Sequence, residues 1–259
     1  MAKFTPQEEL FKKLNFIEKW KTGCFIVSII GTIILPILNP ILNPILNSNI
    51  LNVIFSIFFL IILSSLDVWS ESCRNNAEKT RRCDLFDNSF GTKYNTNYSI
   101  EYYSNDDISL GIYKTLVNIF QNCFWSFEIS KKMKESELIK TILFSIIIII
   151  FAIIGFSNNV FSIPMLQLFL SKEILIKYIN IYRYNKELEI IFEDLKKLFS
   201  DKLLKENPEQ KIGEMIYIIT KYECNISNYK LDLNSKIFEK ENDILEKKWI
   251  EIKKRYEII

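Results

Sequence analysis

The chain has 259 residues, of which 25% are charged, and a formal net charge of +2. That length suits one large soluble domain or two small ones. However, residues 22–66 and 141–171 contain no Asp, Glu, Lys or Arg. As a helix, the first stretch would measure roughly 68 Å, about twice the ~30 Å hydrocarbon core of a bilayer. These stretches indicate an integral membrane protein, and the nearly balanced charge predicts no DNA partner.

The composition also restricts the chemistry. The absence of histidine excludes a Ser-His-Asp triad, a Cys-His pair and any His-ligated metal site. The six glycines form neither of the common phosphate-binding loop motifs. The five cysteines form no C-x-x-C pair, so we expect reduced thiols buried as small apolar groups. We therefore expect no enzymatic activity, no metal site and no cofactor.

The uncharged stretches predict an all-α protein with four transmembrane helices in two hairpins. The first hairpin combines Gly23–Leu38 with Ile50–Leu66, separated by a PILN repeat whose three prolines break the helix. This repeat is typical of a tight outer turn, with a re-entrant element as the alternative. The second hairpin combines residues 138–156 with a segment running to residue 182, joined by a turn around Asn158.

The basic residues set the orientation. They flank the uncharged stretches and are absent from both outer turns, so the positive-inside rule places both termini and the middle segment in the cytoplasm. The leader is too charged for a cleaved signal peptide. The predicted segments are a leader (1–21), transmembrane hairpin 1 (22–66), a helical middle segment (67–137), transmembrane hairpin 2 (138–182) and a helical tail (183–259).

The cytoplasmic segments show helical periodicity. After a loop or short hairpin, Asn105 or Asp106 is predicted to cap the next helix. An apolar stripe on that helix predicts a core-facing side; it contains Ile112, Leu116, Ile119, Phe120, Cys123 and Phe127.

The tail is predicted to contain three helices. The first has an apolar stripe that is interrupted at Asn185, and Asn207 with Pro208 starts the second. The second helix has a predicted apolar face of Ile212, Met215, Ile216 and Ile219. The last has heptad-like spacing at Phe238, Leu245, Trp249, Ile252 and Tyr256. That spacing favours packing within the chain, with packing across a subunit boundary as the alternative.

The strongest candidate for ligand binding is a basic cluster after the second span, formed by Arg74, Lys79, Arg81 and Arg82. A guanidinium group can donate two parallel hydrogen bonds to phosphate oxygens, and nearby aromatic side chains could stack on a base. The aromatic candidates are Tyr94, Tyr98, Tyr102, Tyr103 and Trp125. The alternative, which these residues alone favour, is orientation of the chain and contact with anionic lipid.

Two acidic residues follow the basic cluster. Asp84 and Asp87 are a possible carboxylate pair, but a solvated polar helix face is the favoured interpretation.

The order of elements resembles the four-transmembrane effectors of bacterial anti-phage systems, in which a nucleotidyltransferase makes a cyclic oligonucleotide that activates a membrane partner. The stretch AEKTRRCDLFDNSFG is similar to that family's basic helix followed by a Phe-Asp pair, with Ala77, Arg81, Arg82, Phe86 and Asp87 in similar order. Glu214–Tyr222 is similar in character to its tail helix.

This resemblance implies an abortive-infection effector that disrupts the inner membrane when triggered. It also implies a cyclic nucleotide or oligonucleotide as ligand, with Phe86 and Asp87 joining the basic cluster, and a homo-oligomer in the bilayer. A constitutive ion channel or transporter subunit remains an alternative class, as does a membrane-anchored helical scaffold.

The orientation gives a direct test. Reporter fusions at Asn47 and Asn158 should report outside, and fusions at Asn105 and the C-terminus should report inside, because the basic residues flank only the latter. A C-terminus that reports outside would eliminate the fourth span.

Overall fold

The computed structural model describes residues 5–37, 48–97, 99, 102–103, 105–154 and 174–258. In this part of the chain the regular secondary structure is entirely helical. The α-helices are α1 (Glu8–Ile37), α2 (Ser48–Phe90), α3 (Ile112–Ile154), α4 (Leu175–Ser200), α5 (Lys202–Glu206), α6 (Ile212–Tyr229) and α7 (Ser235–Tyr256). A short 3-10 helix, Pro208–Lys211, precedes α6. The predicted all-α class is confirmed for the described residues.

Two of these helices are long and apolar enough to cross a membrane: α2 over Ile50–Phe90 and α3 over Ile112–Ile153. The helix α2 contains the second predicted span, and α3 contains residues 138–154 of the third, whose last two residues lie outside the described part of the chain. The first predicted span falls at the end of α1, and the Pro40 and Pro44 repeats beyond it lie outside the described residues. The fourth predicted span and the turn at Asn158 fall mostly on residues 155–173, which are also outside them.

The chain divides into two compact units. The first, here called the hairpin unit, takes its described residues from Met1–Asp84, Tyr94–Tyr102 and Phe151–Met165. The second, here called the helical body, takes them from Leu85–Lys93, Tyr103–Ile150 and Leu166–Ile259.

In the hairpin unit, α1 and α2 pack antiparallel. The Cys73 thiol lies 3.4 Å from the Leu10 carbonyl oxygen near one end of the pair. Near the other end, a Cβ atom added to Gly31 would overlap the ring of Phe55. The side chains of Leu14, Ile17 and Cys73 form a small buried core between the two helices. Glycine at position 31 therefore allows the close approach of α2.

Ion pairs join α1 to α2 where the uncharged stretch begins. The Lys21 ammonium lies 2.9 Å from Asp67 and 3.0 Å from Glu18, and Ser70 donates a hydrogen bond to Glu18. Burial alone would raise the pKa of Glu18, but the hydrogen bonds from Ser70 and Lys21 outweigh it and lower that pKa. For Lys21 burial acts to lower the pKa, and the two carboxylates raise it instead. The charged forms of both groups are therefore stabilised.

The helical body is built around the first half of α3. The predicted stripe is confirmed at its centre, where Leu116, Ile119, Phe120 and Cys123 are fully buried. The Phe120 ring stacks on Phe199 of α4, with ring centroids 4.9 Å apart, and meets Trp249 of α7 edge to face. Aromatic contacts of this kind add to the free energy gained from apolar burial.

A buried network of polar side chains joins the end of α2 to α3. The Asn118 amide donates to Asn88 at 2.8 Å and to Ser89 at 3.2 Å. Asn105 donates to the side-chain oxygens of Asn118 and Gln121, each at 2.9 Å. These buried hydrogen bonds thus hold three segments of the chain together.

The prediction that Asn105 or Asp106 caps α3 is wrong. The helix begins at Ile112, and the first carbonyl it uses is that of Gly111, which accepts from the Thr115 N–H. Gly111 has a φ of +145°, a conformation that favours glycine. Because the Asn105 amide contacts α3 from the side, it is not available as a cap.

Asn185, the interruption in the predicted stripe of α4, has a structural role. It is buried, donates to the Phe127 carbonyl and the Ser130 hydroxyl, and accepts from the Lys134 ammonium at 3.0 Å. One amide therefore fixes the register of α4 against α3.

The tail helices differ in part from the prediction. Pro208 does begin a helical turn, although the Asn207 side chain makes no capping hydrogen bond. In α6 the buried face contains Met215, Ile218 and Tyr222, whereas Ile216 is 49% exposed. The predicted face is right at Met215 and wrong at Ile212 and Ile216, because the isoleucines of α6 offer two faces and contact with α4 selects between them.

The last helix packs within the chain. Leu245 and Trp249 of α7 are buried as predicted, and Phe238 is partly exposed.

The five cysteines form no disulfide. Cys73 and Cys123 are buried, but Cys224 is exposed, so the prediction of buried thiols holds only in part.

The Asn118 network gives a stability prediction. Asn118→Ala should lower the free energy of unfolding by about 1–3 kcal/mol, because it leaves buried partners without hydrogen bonds. For a unit of this size, that corresponds to a decrease in Tm of about 2–4 °C per kcal/mol. Asn75→Ala, at an exposed position of α2, is the matched control and should leave Tm unchanged. Equal melting of both variants would contradict the assigned role.

Candidate functional site

The six candidate ligand-binding residues all lie on α2, which the sequence predicted to continue beyond its apolar segment. From Arg74 to Asp87 the helix rises by roughly 20 Å, so the six side chains do not share one pocket. They fall instead into three local environments: one toward α1, one contacted by Asn95 and Ser99, and one at the end of α2.

The central environment is an ion-paired cluster. Arg81 donates through Nε to Glu78 at 3.0 Å, and a terminal nitrogen of Arg82 lies 3.8 Å from the same carboxylate oxygen. The side chains of Arg81 and Glu78 are only 13% and 18% exposed, while that of Arg82 is 38% exposed. The i, i+3 and i, i+4 spacing from Glu78 predicts these pairs from sequence. One carboxylate therefore orders two guanidinium groups.

Asn95 and Ser99, which follow α2 in the chain, contact this part of the helix. The Asn95 amide donates to the Thr80 carbonyl at 3.0 Å, and the Ser99 N–H donates to Asp84 at 2.9 Å. Asp84 is fully buried. No spacing rule links Asn95 or Ser99 to the helix, so these contacts could not be predicted from the sequence.

Tyr102 also follows α2 in the chain, and it is close enough to the cluster for the charges there to shift the pKa of its phenol. Burial raises the pKa of its phenol, the positive charge of Arg81 lowers it, and the carboxylates of Asp84 and Glu78 raise it further. The net shift is upward. Tyr102, one of the tyrosines considered for base stacking, therefore lies within electrostatic reach of Arg81.

The other members of the basic cluster lie in different surroundings. Arg74 acts electrostatically on Glu18 of α1, where it helps to lower the pKa of that carboxyl. Lys79 is exposed, one helical turn from Arg82. Arg82 and Lys79 are consequently the cations of this set that solvent reaches most readily.

Phe86 and Asp87 lie near the end of α2 and belong to the helical body. The Phe86 ring is 45% exposed and stacks on Phe90 at 5.9 Å. Asp87 is buried and accepts a hydrogen bond from Thr92 at 2.8 Å. The favoured interpretation of Asp84 and Asp87 as a solvated face is wrong, because both carboxylates instead fix the chain that follows α2.

The remaining aromatic candidates are placed in other ways. Trp125 packs against Phe124 and Trp249 in the helical body, and its indole N–H lies 3.4 Å from Asn242. Tyr103 is buried and Tyr94 is 69% exposed. Tyr98 is outside the described residues.

The central cluster has an excess of positive charge. Glu78, Arg81, Arg82 and Lys79 together carry two net positive charges, and Arg81 is already ordered in its ion pair. Within the described ranges, no group of three or more Cys, Asp or Glu side chains is placed to hold a metal ion. A phosphate that reached the cluster would contact Arg82 and Lys79 first, in competition with Glu78.

In the part of the chain that the structure describes, the fold is all-helical, with two helices long and apolar enough to cross a membrane. Comparisons with models of protein families, with curated proteins and with solved structures found no match to this chain.

The surroundings of Tyr102 can be tested by titration. Arg81→Gln should raise the pKa of Tyr102 further, because the positive charge that lowers it is removed. Incorporated 3-fluorotyrosine, which titrates at lower pH than tyrosine, would report the shift by fluorine NMR, with Tyr102→Phe assigning the signal. Lys79→Gln removes an equal charge that does not act on Tyr102, and it should leave the titration unchanged. A Tyr102 signal that is insensitive to Arg81 would contradict the proximity described.

Proposed function

We propose that this protein is a triggered membrane effector. In this proposal, a cytoplasmic signal binds to the polar continuation of α2, and the apolar helices respond by disrupting the inner membrane. The proposal rests on one structural observation: α3 is a single helix whose first half lies in a folded core and whose second half exposes apolar side chains.

That contrast is large. Leu116, Val117 and Ile119 are fully buried in the helical body, whereas Ile139, Ile149 and Ile153 are 62%, 58% and 80% exposed. A continuous apolar surface of this size is costly in water and stable in a bilayer. Because the helix between the two halves is unbroken, a rotation or shift of the buried half would move the exposed half as well.

The helix α2 has the same division. None of its most apolar 18-residue window is buried, and the same helix continues into the turns that carry Glu78, Arg81 and Arg82. A ligand that binds one position of these turns more tightly than another would shift the population of the apolar segment. No separate linker would be needed.

The proposed signal is a phosphate-containing ligand of the cyclic nucleotide or oligonucleotide class. Arginine groups bind phosphate oxygens through paired hydrogen bonds, and Arg82 with Lys79 offers the accessible positive charge. The resemblance to four-transmembrane anti-phage effectors supports the same ligand class. It also supports abortive infection as the setting and a homo-oligomer as the active form.

A constitutive channel or transporter is less well supported. Intramembrane charged residues commonly mark transport pathways, and residues 50–66 of α2 and 141–154 of α3 contain none. The absence of a histidine or a glycine-rich phosphate loop also favours an effector without enzymatic activity.

The proposal predicts the behaviour of a double variant. In bacteria that co-express a cyclic-oligonucleotide-forming nucleotidyltransferase, the natural chain should collapse the membrane potential before lysis, while the chain alone should be tolerated. Arg81→Gln with Arg82→Gln should abolish this response without reducing membrane insertion, because the charge that binds phosphate is removed while the spans are unchanged. A potential-sensitive dye and membrane fractionation measure the two effects.

A matched control is available on α7. Lys247→Gln with Lys248→Gln removes two adjacent exposed charges and should respond like the natural chain. If the arginine variant inserts normally and still depolarises cells, these arginines do not bind the signal. If it inserts in the wrong orientation, the two arginines determine topology instead.

A further inference from the structure

An open apolar groove runs between α1 and α2 in the hairpin unit. Its first part has a volume of about 520 Å³ and is lined by Phe16, Trp20, Gly23 and Val27 of α1 together with Phe59 of α2. Its second part, of about 420 Å³, continues past Trp20 to Ile62, Leu66 and Trp69. Each part lies within the range of about 300–1,000 Å³ typical of sites for small molecules.

Gly23, which has no side chain, leaves open space in the first part of the groove. Residues 16, 20, 23 and 27 recur at the three- and four-residue spacing that places them on one face of α1. Gly23 is in the middle of this face, and a Cβ atom added there would meet no atom within 4 Å. On the neighbouring face, Leu14 and Ile17 pack against α2. The groove is thus an open space beside a fixed helix pair.

Positive charge lies at one end of the groove. Lys19 is exposed and lines the first part. The Lys13 ammonium lies 5.7 Å from the centre of the Trp69 ring, which lines the second part. In contrast, Lys21 is neutralised by Glu18 and Asp67. In the described part of the chain, Lys13 and Lys19 form no salt bridge with a carboxylate. Both ammonium groups can therefore face an anion.

The groove also lies where a membrane boundary is expected. Its lysines precede the uncharged stretch 22–66, and Trp20 and Trp69 are 58% and 48% exposed beside it. Exposed tryptophans with lysines at the end of an apolar segment are typical of the interface between lipid headgroups and hydrocarbon.

We propose that this groove binds one anionic phospholipid, with an acyl chain along Gly23 and Phe59 and the phosphate against Lys19 and Lys13. This inference rests on the proposed membrane function and adds a specific lipid site to it. The apolar lining, the open space at Gly23 and the lysines at one end together match an acyl chain joined to a negatively charged headgroup. A bound lipid would bridge α1 and α2.

The test uses tryptophan fluorescence in vesicles. Trp20 and Trp69 line the groove, whereas Trp249 is buried in the helical body and Trp125 packs against it. The full chain is reconstituted in phosphatidylcholine vesicles with a low fraction of phosphatidylglycerol, and either lipid is brominated in turn at the same mole fraction. We expect brominated phosphatidylglycerol to quench more strongly, with local enrichment on the order of five-fold for each lysine.

Two variants separate the parts of the site. Gly23→Leu fills the groove and should abolish the preference for phosphatidylglycerol. Gly213→Leu, at a position of α6 that is equally open, is the matched control and should retain it. Lys13→Gln with Lys19→Gln should reduce quenching by phosphatidylglycerol to the level of phosphatidylcholine while leaving quenching by phosphatidylcholine unchanged.

The outcomes distinguish this site from the proposed function. If the chain floats with the vesicles and both brominated lipids quench equally, or if Gly23→Leu keeps the preference, the lipid site is overturned and the membrane function stands. If the chain does not float with the vesicles and neither lipid quenches, both proposals fail together.

Discussion

The structure depends on the continuity of α3 between two surroundings. The same helix must keep Phe120 in an aromatic core and leave Ile149 and Ile153 exposed. A helix satisfies its own backbone hydrogen bonds, so it can pass from protein to hydrocarbon without exposing unpaired polar groups. Other described features position this helix: Asn185 fixes α4 against it, and Asn118 fixes the end of α2.

Polar contacts hold α2 at two places along its length. At the start of the uncharged stretch, Lys21 and Asp67 hold α1 beside α2. Further along α2, Glu78 orders Arg81, and Asn95 and Ser99 form hydrogen bonds to the same part of the helix. The side chains of Glu78 and Arg81 are only 18% and 13% exposed; an ion pair buried to this degree adds little stability compared with an apolar pair, but breaking it by removing one partner is costly. Such contacts favour one defined arrangement over its neighbours.

Helical class, the two long apolar helices and the core stripe of α3 could be predicted because they depend on periodicity and on the absence of charge. Three features could not. The start of α3 is set by Gly111 and by hydrogen bonds from Asn105 to residues distant in sequence. The buried face of α6 is chosen by α4, since isoleucines lie on two of its faces. At the candidate site, the Glu78 pairs follow from spacing, whereas the contacts of Asn95 and Ser99 depend on the path of a loop.

If the protein collapses ion gradients as proposed, the pH of the cytoplasm would change as well, and the ion pairs between α1 and α2 would be exposed to that change. The Glu18 pKa is lowered from 4.5, so its stabilising contribution is lost only as pH falls through that lowered value. The Lys21 pKa is raised from 10.5, so its contribution is lost only as pH rises through the raised value. With no histidine in the chain, proton influx would leave this connection intact. The pH change that membrane leakage causes would therefore not break these ion pairs, and leakage could continue.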